Sequence, residues 1–271
     1  VYYCPTGKNY PNCQISKPEN IEKIFKKNQS IAAIILEPIT GSAGRILPPK
    51  GYYEKIRKLC NKYNVLLIYD EIMTGFGRTG KWFGANHWAA KPDIVTLAKG
   101  ITGGIMPLGA TLISKKISKF YDKEYFPTGL TNYAHPVSCA AAIAAIEVYK
   151  KEKLVQRAQD LENLIELKLK DLKKKYNCIG DYRGKGLFYA IEFVKNKKNQ
   201  RLINWTYKNY FKDNQDIKKL LNYLWQKGLF CYSRYNMLYI CPPLIIPRKE
   251  LQKALSLIEF GISEIIEKKY F

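Results

Sequence analysis

Histidine, acidic residues and long apolar runs are scarce in this chain, and each scarcity closes off a class of protein. Only two of 271 residues are histidine, His87 and His135, too few for a histidine-built metal site. The seven cysteines are an odd number at irregular spacing, which argues against a disulfide framework or a zinc site. Cys4 and Cys13 flank a Pro/Gly loop but have no partner cysteines at zinc-ligand spacing. No apolar run approaches the roughly 20 residues of a membrane span, and no signal-peptide pattern is visible. Asp and Glu number 23 against 45 Lys and Arg, a net charge of +22. The lysines are spread along amphipathic stretches such as Lys150-Lys151-Glu152-Lys153 and Lys173-Lys174-Lys175, as expected of solvated helix faces. Such a surface draws anionic substrates. No recognised nucleic-acid module accompanies the charge, so neither nucleic acid nor membrane is expected as a partner.

What is present is more specific. Val65-Leu66-Leu67-Ile68-Tyr69 is a short apolar run that delivers Asp70-Glu71, and Ile94-Val95-Thr96-Leu97, entered through Lys91-Pro92-Asp93, delivers Ala98-Lys99-Gly100. Aliphatic runs of this length between turn signals suit strands buried on both faces of a parallel sheet. Ligands in such sheets gather beyond the carboxyl ends of the strands, so Asp70 and Lys99 are expected in one crevice. The pair matches what pyridoxal phosphate requires. A carboxylate keeps the pyridine nitrogen protonated, and a lysine amine forms the Schiff base and moves a proton. Either residue alone would be an ordinary solvated loop charge.

The segments around them decide between these alternatives. Asp70-Glu71-Ile72-Met73-Thr74-Gly75-Phe76-Gly77-Arg78-Thr79-Gly80, Pro92-Asp93-Ile94, Ala98-Lys99-Gly100 and Pro107-Leu108-Gly109-Ala110 together resemble the signature of class III aminotransferases. These are the ω-aminotransferases of pyridoxal-phosphate fold type I. Glu37-Pro38-Ile39 through Pro48-Pro49-Lys50-Gly51-Tyr52, Gly129-Leu130-Thr131 to His135-Pro136, and Arg183-Gly184-Lys185-Gly186-Leu187-Phe188 follow in matching order. Trp82-Phe83-Gly84, His87-Trp88, the Tyr2-to-Cys13 loop and Asn236-Met237-Leu238-Tyr239 are most similar to the ω-amino acid:pyruvate and taurine–pyruvate group.

The resemblance implies roles. Asp70 would be the partner of the pyridinium nitrogen, Ile72 the side chain on one face of the ring, and Lys99 the catalytic lysine. Gly100, Gly103 and Gly104 would leave the next loop room beside the cofactor. Thr131 would reach the cofactor phosphate of a neighbouring subunit. Glu37 would hold an arginine that otherwise binds the substrate carboxylate, and Arg234 is the candidate arginine, its planar fork suited to a carboxylate. Met73 stands where the ornithine and γ-aminobutyrate enzymes carry glutamine, which leans away from those activities. The expected enzyme is cytoplasmic and homodimeric, and moves an amino group from an ω-amino acid, taurine or amine to an oxo acid such as pyruvate. Two alternatives stay open: a glutamate-1-semialdehyde aminomutase-like isomerase, and a noncatalytic remnant or interaction subunit.

One departure is large. Family members carry a further amino-terminal segment with a Ser-Gly-Ser-Glu-Ala type phosphate turn at a helix N-terminus, an aromatic residue stacked on the pyridine ring, and much of the dimer interface. Neither of the two motifs occurs in these residues, so the chain is expected to be the carboxyl-terminal portion of a longer enzyme, with weak cofactor retention and little turnover alone. The expected fold is α/β: an incomplete fold type I large domain with a mostly parallel sheet over 1–135, connecting helices over 136–175, and a small α+β domain over 176–271. Helices are expected at 19–28, 51–63, 214–227 and 248–268, with one long helical stretch from 135 to 175. Strands are expected at 31–36, 65–69, 94–97, 108–113, 187–194, 229–232 and 237–241.

Overall fold

The computed structural model describes residues 17–196, 201–202 and 215–270. The chain divides into two compact units, Val1–Gly77 with Lys81–Lys153, and Arg78–Gly80 with Leu154–Phe271. The Tyr2-to-Cys13 loop lies outside the described residues.

The first unit is built on α1 (Pro18–Lys27), β1 (Ala33–Leu36), α2 (Tyr52–Tyr63), β2 (Leu66–Asp70), β3 (Ile94–Leu97), β4 (Ala110–Ile113), the single turn α3 (Lys115–Ser118) and α4 (Pro136–Lys151). Its sheet runs β1-β2-β3-β4, with β1, β2 and β3 parallel and β4 antiparallel. Proline at the first turn of α1 costs no hydrogen bond there, and Ile21 and Phe25 fall one turn apart on its buried face. Together with Tyr53, Ile56 and Cys60 of α2 they pack on Leu67 and Tyr69. Asp93 ties the strands together at their start. Its carboxylate accepts from the Leu67 N–H at 2.8 Å and from Arg57 at 2.7 Å, while its own N–H donates to the Leu67 carbonyl at 2.8 Å.

Burial on both strand faces, expected from the apolar runs, is not found. Along β2 only Leu67 and Tyr69 are buried, while Leu66, Ile68 and Asp70 on the opposite face are half-buried and Ile35 beside them is exposed. Among the described residues α1 and α2 pack on the face of Leu67 and Tyr69, and apolar strand composition does not reveal which face has a cover.

The second unit contains α5 (Leu154–Lys175), β5 (Ile179–Lys185), β6 (Phe188–Asn196), β7 (Arg201–Leu202), α6 (Gln215–Gln226), β8 (Tyr232–Arg234), β9 (Met237–Ile240) and α7 (Arg248–Gly261), which runs on into a π-helical turn over Ile262–Glu267. The antiparallel sheet is ordered β5-β6-β9-β8, with β7 paired to β6. On α5, Leu161, Ile165, Leu169 and Leu172 recur at helical spacing and are buried. Glu166 accepts from the hydroxyls of Tyr182 and Tyr189, each at 2.9 Å, fastening α5 to β5 and β6. Arg78 is integral to this unit and donates to the carbonyls of Leu187 (3.1 Å) and Pro242 (2.6 Å). Gly186, at φ 59°, lets that backbone in: a Cβ there would stand 2.4 Å from the Gly80 nitrogen.

The connecting helices expected over 136–175 are α4 and α5, separated at Glu152-Lys153, where Lys153 takes φ 51°. One expectation needs correction here. The strand expected at 229–232 lies at Tyr232–Arg234, because the turn at Tyr235 (φ 57°) sets Arg234 opposite Met237.

Candidate active site

Parallel pairing puts the carboxyl ends of β2 and β3 side by side, with Asp70 in register with Thr96. The Glu71 N–H donates to the Thr96 carbonyl at 3.0 Å, extending the register one residue past the strand. Asp70 turns the chain: its Oδ1 accepts from the Ile72 N–H at 3.0 Å, a local side-chain turn typical of aspartate. Asp70 and Ile72 are half-buried and Lys99 is exposed. Lys99 opens a short 3₁₀ turn, Lys99–Thr102, with φ 45°.

Glu37 follows β1 on the same edge. Its Oε2 accepts from the Gly41 N–H at 2.7 Å, and the Tyr53 hydroxyl donates to its backbone carbonyl at 2.5 Å. Burial pushes its carboxyl above the ordinary range. The Gly41 hydrogen bond and the charges of Arg45 and Lys99 pull it down, and the Asp70 charge adds to the rise. Asp70, Lys99 and Glu37 therefore share one electrostatic neighbourhood. Gly41 matters to this packing, since a Cβ there would fall 2.4 Å from the Met73 sulfur and 3.0 Å from Glu37 Oε2. Met73 thus stands beside Glu37.

Thr131 lies in the exposed stretch before α4, where His135 is the residue preceding the helix and Pro136 its first. Arg234 belongs to the second unit, half-buried at the end of β8, its guanidinium 5.0 Å from the centre of the Tyr235 ring. His87 packs by Trp88, ring centres 6.0 Å apart.

The sequence-based reading gave Glu71 no role, yet it is the fully buried organiser of the loop after Asp70. Its carboxylate accepts from the Thr74 hydroxyl (2.5 Å), the Gly84 N–H (2.8 Å) and the Ala85 N–H (2.6 Å). Burial raises its pKa against those bonds. The only signal in the sequence was a second carboxylate next to the first, which says nothing about which of the two faces inward.

Asp70 at the end of β2 and Lys99 two residues past β3 are thus brought to the same edge of the sheet. Residues 5–262 match the aminotransferase class-III family. The chain is 35% identical to an adenosylmethionine-8-amino-7-oxononanoate aminotransferase of Staphylococcus aureus, over 92% of this chain and 55% of that protein. It is 32% identical to a leucine/methionine racemase of Thermococcus litoralis, over 98% and 58%, and 35% identical to a taurine–pyruvate aminotransferase of Bilophila wadsworthia, over 88% and 53%. A taurine:2-oxoglutarate aminotransferase from Bifidobacterium kashiwanohense, solved with pyridoxal phosphate and glutamate, superposes with a TM-score of 0.88 at 34% identity, covering 94% of this chain and 56% of that one. The chain belongs to the class III aminotransferases, whose cofactor is pyridoxal phosphate. It spans about half the length of the relatives it matches.

Proposed function

We propose that the intact enzyme transfers an amino group from an ω-amino acid, taurine or amine to an oxo acid such as pyruvate, with Lys99 as the proton-moving residue and Asp70 as the partner of the cofactor's ring nitrogen. The observation that carries this is the strand register, which sets Asp70 and the approach to Lys99 on neighbouring carboxyl ends. Bound pyridoxal phosphate supplies an electron sink. Asp70, its Oδ1 already oriented by the Ile72 N–H, would hold the proton on the ring nitrogen, and Ile72 would pack on the ring. Lys99 would take the proton from the donor carbon and return it. Arg234 would bind a substrate carboxylate and Glu37 would supply its counter-charge, a division that suits a site admitting substrates with and without an α-carboxylate. The donor class leans on the taurine-using relatives and on Met73 beside Glu37.

The same reading makes the intact enzyme a cytoplasmic homodimer in which Thr131 serves the neighbouring subunit's cofactor. Among the described residues no helix is long and apolar enough to cross a membrane. A second reading, isomerisation of a single amino acid, draws on the racemase relative. It would show as product formed with no oxo acid present.

The test is the absorbance spectrum of the purified chain with added pyridoxal phosphate, wild type against Lys99→Ala. A visible band present in the first and absent in the second is expected. An equal visible band from both proteins would remove Lys99 from its assigned role, whereas no specific band in either would mean that these residues alone do not hold the cofactor.

A further inference from the structure

Lys99 holds φ 45°, a backbone conformation disfavoured for a side chain with a Cβ and kept only where the surroundings over-determine it. Two bonds within the turn, from the Ile101 N–H to the Ala98 carbonyl and from the Gly103 N–H to the Gly100 carbonyl, each at 3.1 Å, suit a 3₁₀ turn but do not fix where it sits. A third contact comes from far along the chain. The Tyr149 hydroxyl, on α4, donates to the Gly100 carbonyl at 2.8 Å. The Tyr149 ring stacks on Phe76, centres 6.1 Å apart, and meets Trp82 edge-on at 6.4 Å. Phe76 closes on the turn from another side: a Cβ on Gly100 would come 2.8 Å from the Phe76 Cβ. Tyr149 is buried although it sits in the lysine-rich end of its helix.

We propose that Tyr149 is a positioning residue for Lys99: its hydroxyl, with Phe76 behind the ring, braces the Gly100 carbonyl and holds the lysine turn in its left-handed form. This rests on the proposed role of Lys99 for its functional meaning, while the brace itself is a property of the turn. Phe76, from the loop after Asp70, and Tyr149, from α4, thereby couple the two loops that carry the cofactor residues.

Tyr149→Phe keeps the ring and removes only the hydroxyl. In the full chain without cofactor, amide hydrogen exchange over residues 98–105 is expected to speed up roughly fivefold or more, the scale of one neutral hydrogen bond. Pyridoxal phosphate followed by borohydride reduction, with peptide mapping, should show labelling at Lys99 falling by a similar factor relative to Lys115 and Lys116. Gly100→Ala, which drives a methyl into Phe76, should speed exchange from the other side of the same turn. Ala144→Gly, on the exposed face of α4, weakens the helix without touching the hydroxyl and should change neither readout. Unchanged exchange and labelling in Tyr149→Phe would overturn the brace, as would an Ala144→Gly variant that reproduces both effects. Faster exchange in Tyr149→Phe with no preferential labelling of Lys99 in the wild type would support the brace and count against the proposed function.

Discussion

The two units differ in how completely their sheets are covered. In the carboxyl-terminal unit β6 has neighbours on both sides, and Phe188, Tyr189, Ala190, Ile191, Phe193 and Val194 are buried in nearly unbroken succession, so both of its faces are sealed. In the amino-terminal unit burial alternates along β2, and the stretch from 103 to 148 exposes Tyr125 at 84%, Ile105 at 77% and Leu130 at 73%. Asp70, Ile72, Lys99, Glu37 and Thr131 all belong to this less covered unit. Of the residues proposed for cofactor and substrate, Arg234 alone lies in the sealed unit, in keeping with the tendency of functional elements to come from the less stable part of a fold.

The comparison breaks most visibly by cavity formation. Phe193→Ala should cost about 3–5 kcal/mol, because the fully buried ring leaves a hole the sheet cannot close. Leu112→Ala, on exposed β4, should stay within about 0.5 kcal/mol and reduce aggregation. Urea unfolding with light scattering checks both. Equal costs would mean that the two sheets are equally covered.

Glu71→Ala sharpens the contrast from the other side, since it attacks a strongly consolidated part of the open unit. Loss of the carboxylate strands the Gly84 and Ala85 N–H groups, at a cost of about 2–4 kcal/mol. Hydrogen exchange should rise across residues 71–77 and 81–88 and leave α5 and β6 unchanged. Spread of the effect into α5 would show that the units do not unfold independently.

Legibility in the sequence followed the same division of signals. Ile94–Leu97 was readable residue for residue because Pro92-Asp93 starts it and Ala98-Lys99-Gly100 stops it, and α1, α2 and α6 were readable from apolar spacing. Strand β5 was largely missed because it carries Gly180, Asp181, Arg183 and Gly184, with a bulge between Ile179 and Asp181, so period-2 alternation is lost. The break at Lys153 has neither glycine nor proline to announce it. Asp70 and Lys99 were singled out by their strand-end positions together with the motifs around them, since either alone reads as a loop charge. Glu71 and Tyr149 were not, since burial and hydrogen-bond partners distant along the chain leave no mark in the local sequence.

The smallest expected effect is in the pH dependence, where the two units should respond with opposite sign. In the open unit, burial raises the carboxyls of Glu37 and Glu71. A carboxyl raised in the folded state binds its proton more tightly there than in the unfolded chain. Its stabilising contribution is complete below the ordinary value of 4.5 and is lost as pH rises through the raised folded value. In the sealed unit, hydrogen bonds from Lys168 and Lys175 lower Glu259. That contribution is present above 4.5 and disappears as pH falls through the lowered value. The exposed Glu22–Lys62 pair of the open unit, which also lowers a carboxyl, would blur the contrast, and high salt screens it. Unit-resolved hydrogen exchange in high salt, corrected for intrinsic rates, should therefore show protection in the open unit falling as pH rises above 4.5, and protection in α5 and α7 falling as pH drops below it. Glu259→Gln should flatten the second branch and leave the first. A common slope in both units would mean that their carboxylates do not set the contrast, and that it lies in apolar coverage alone.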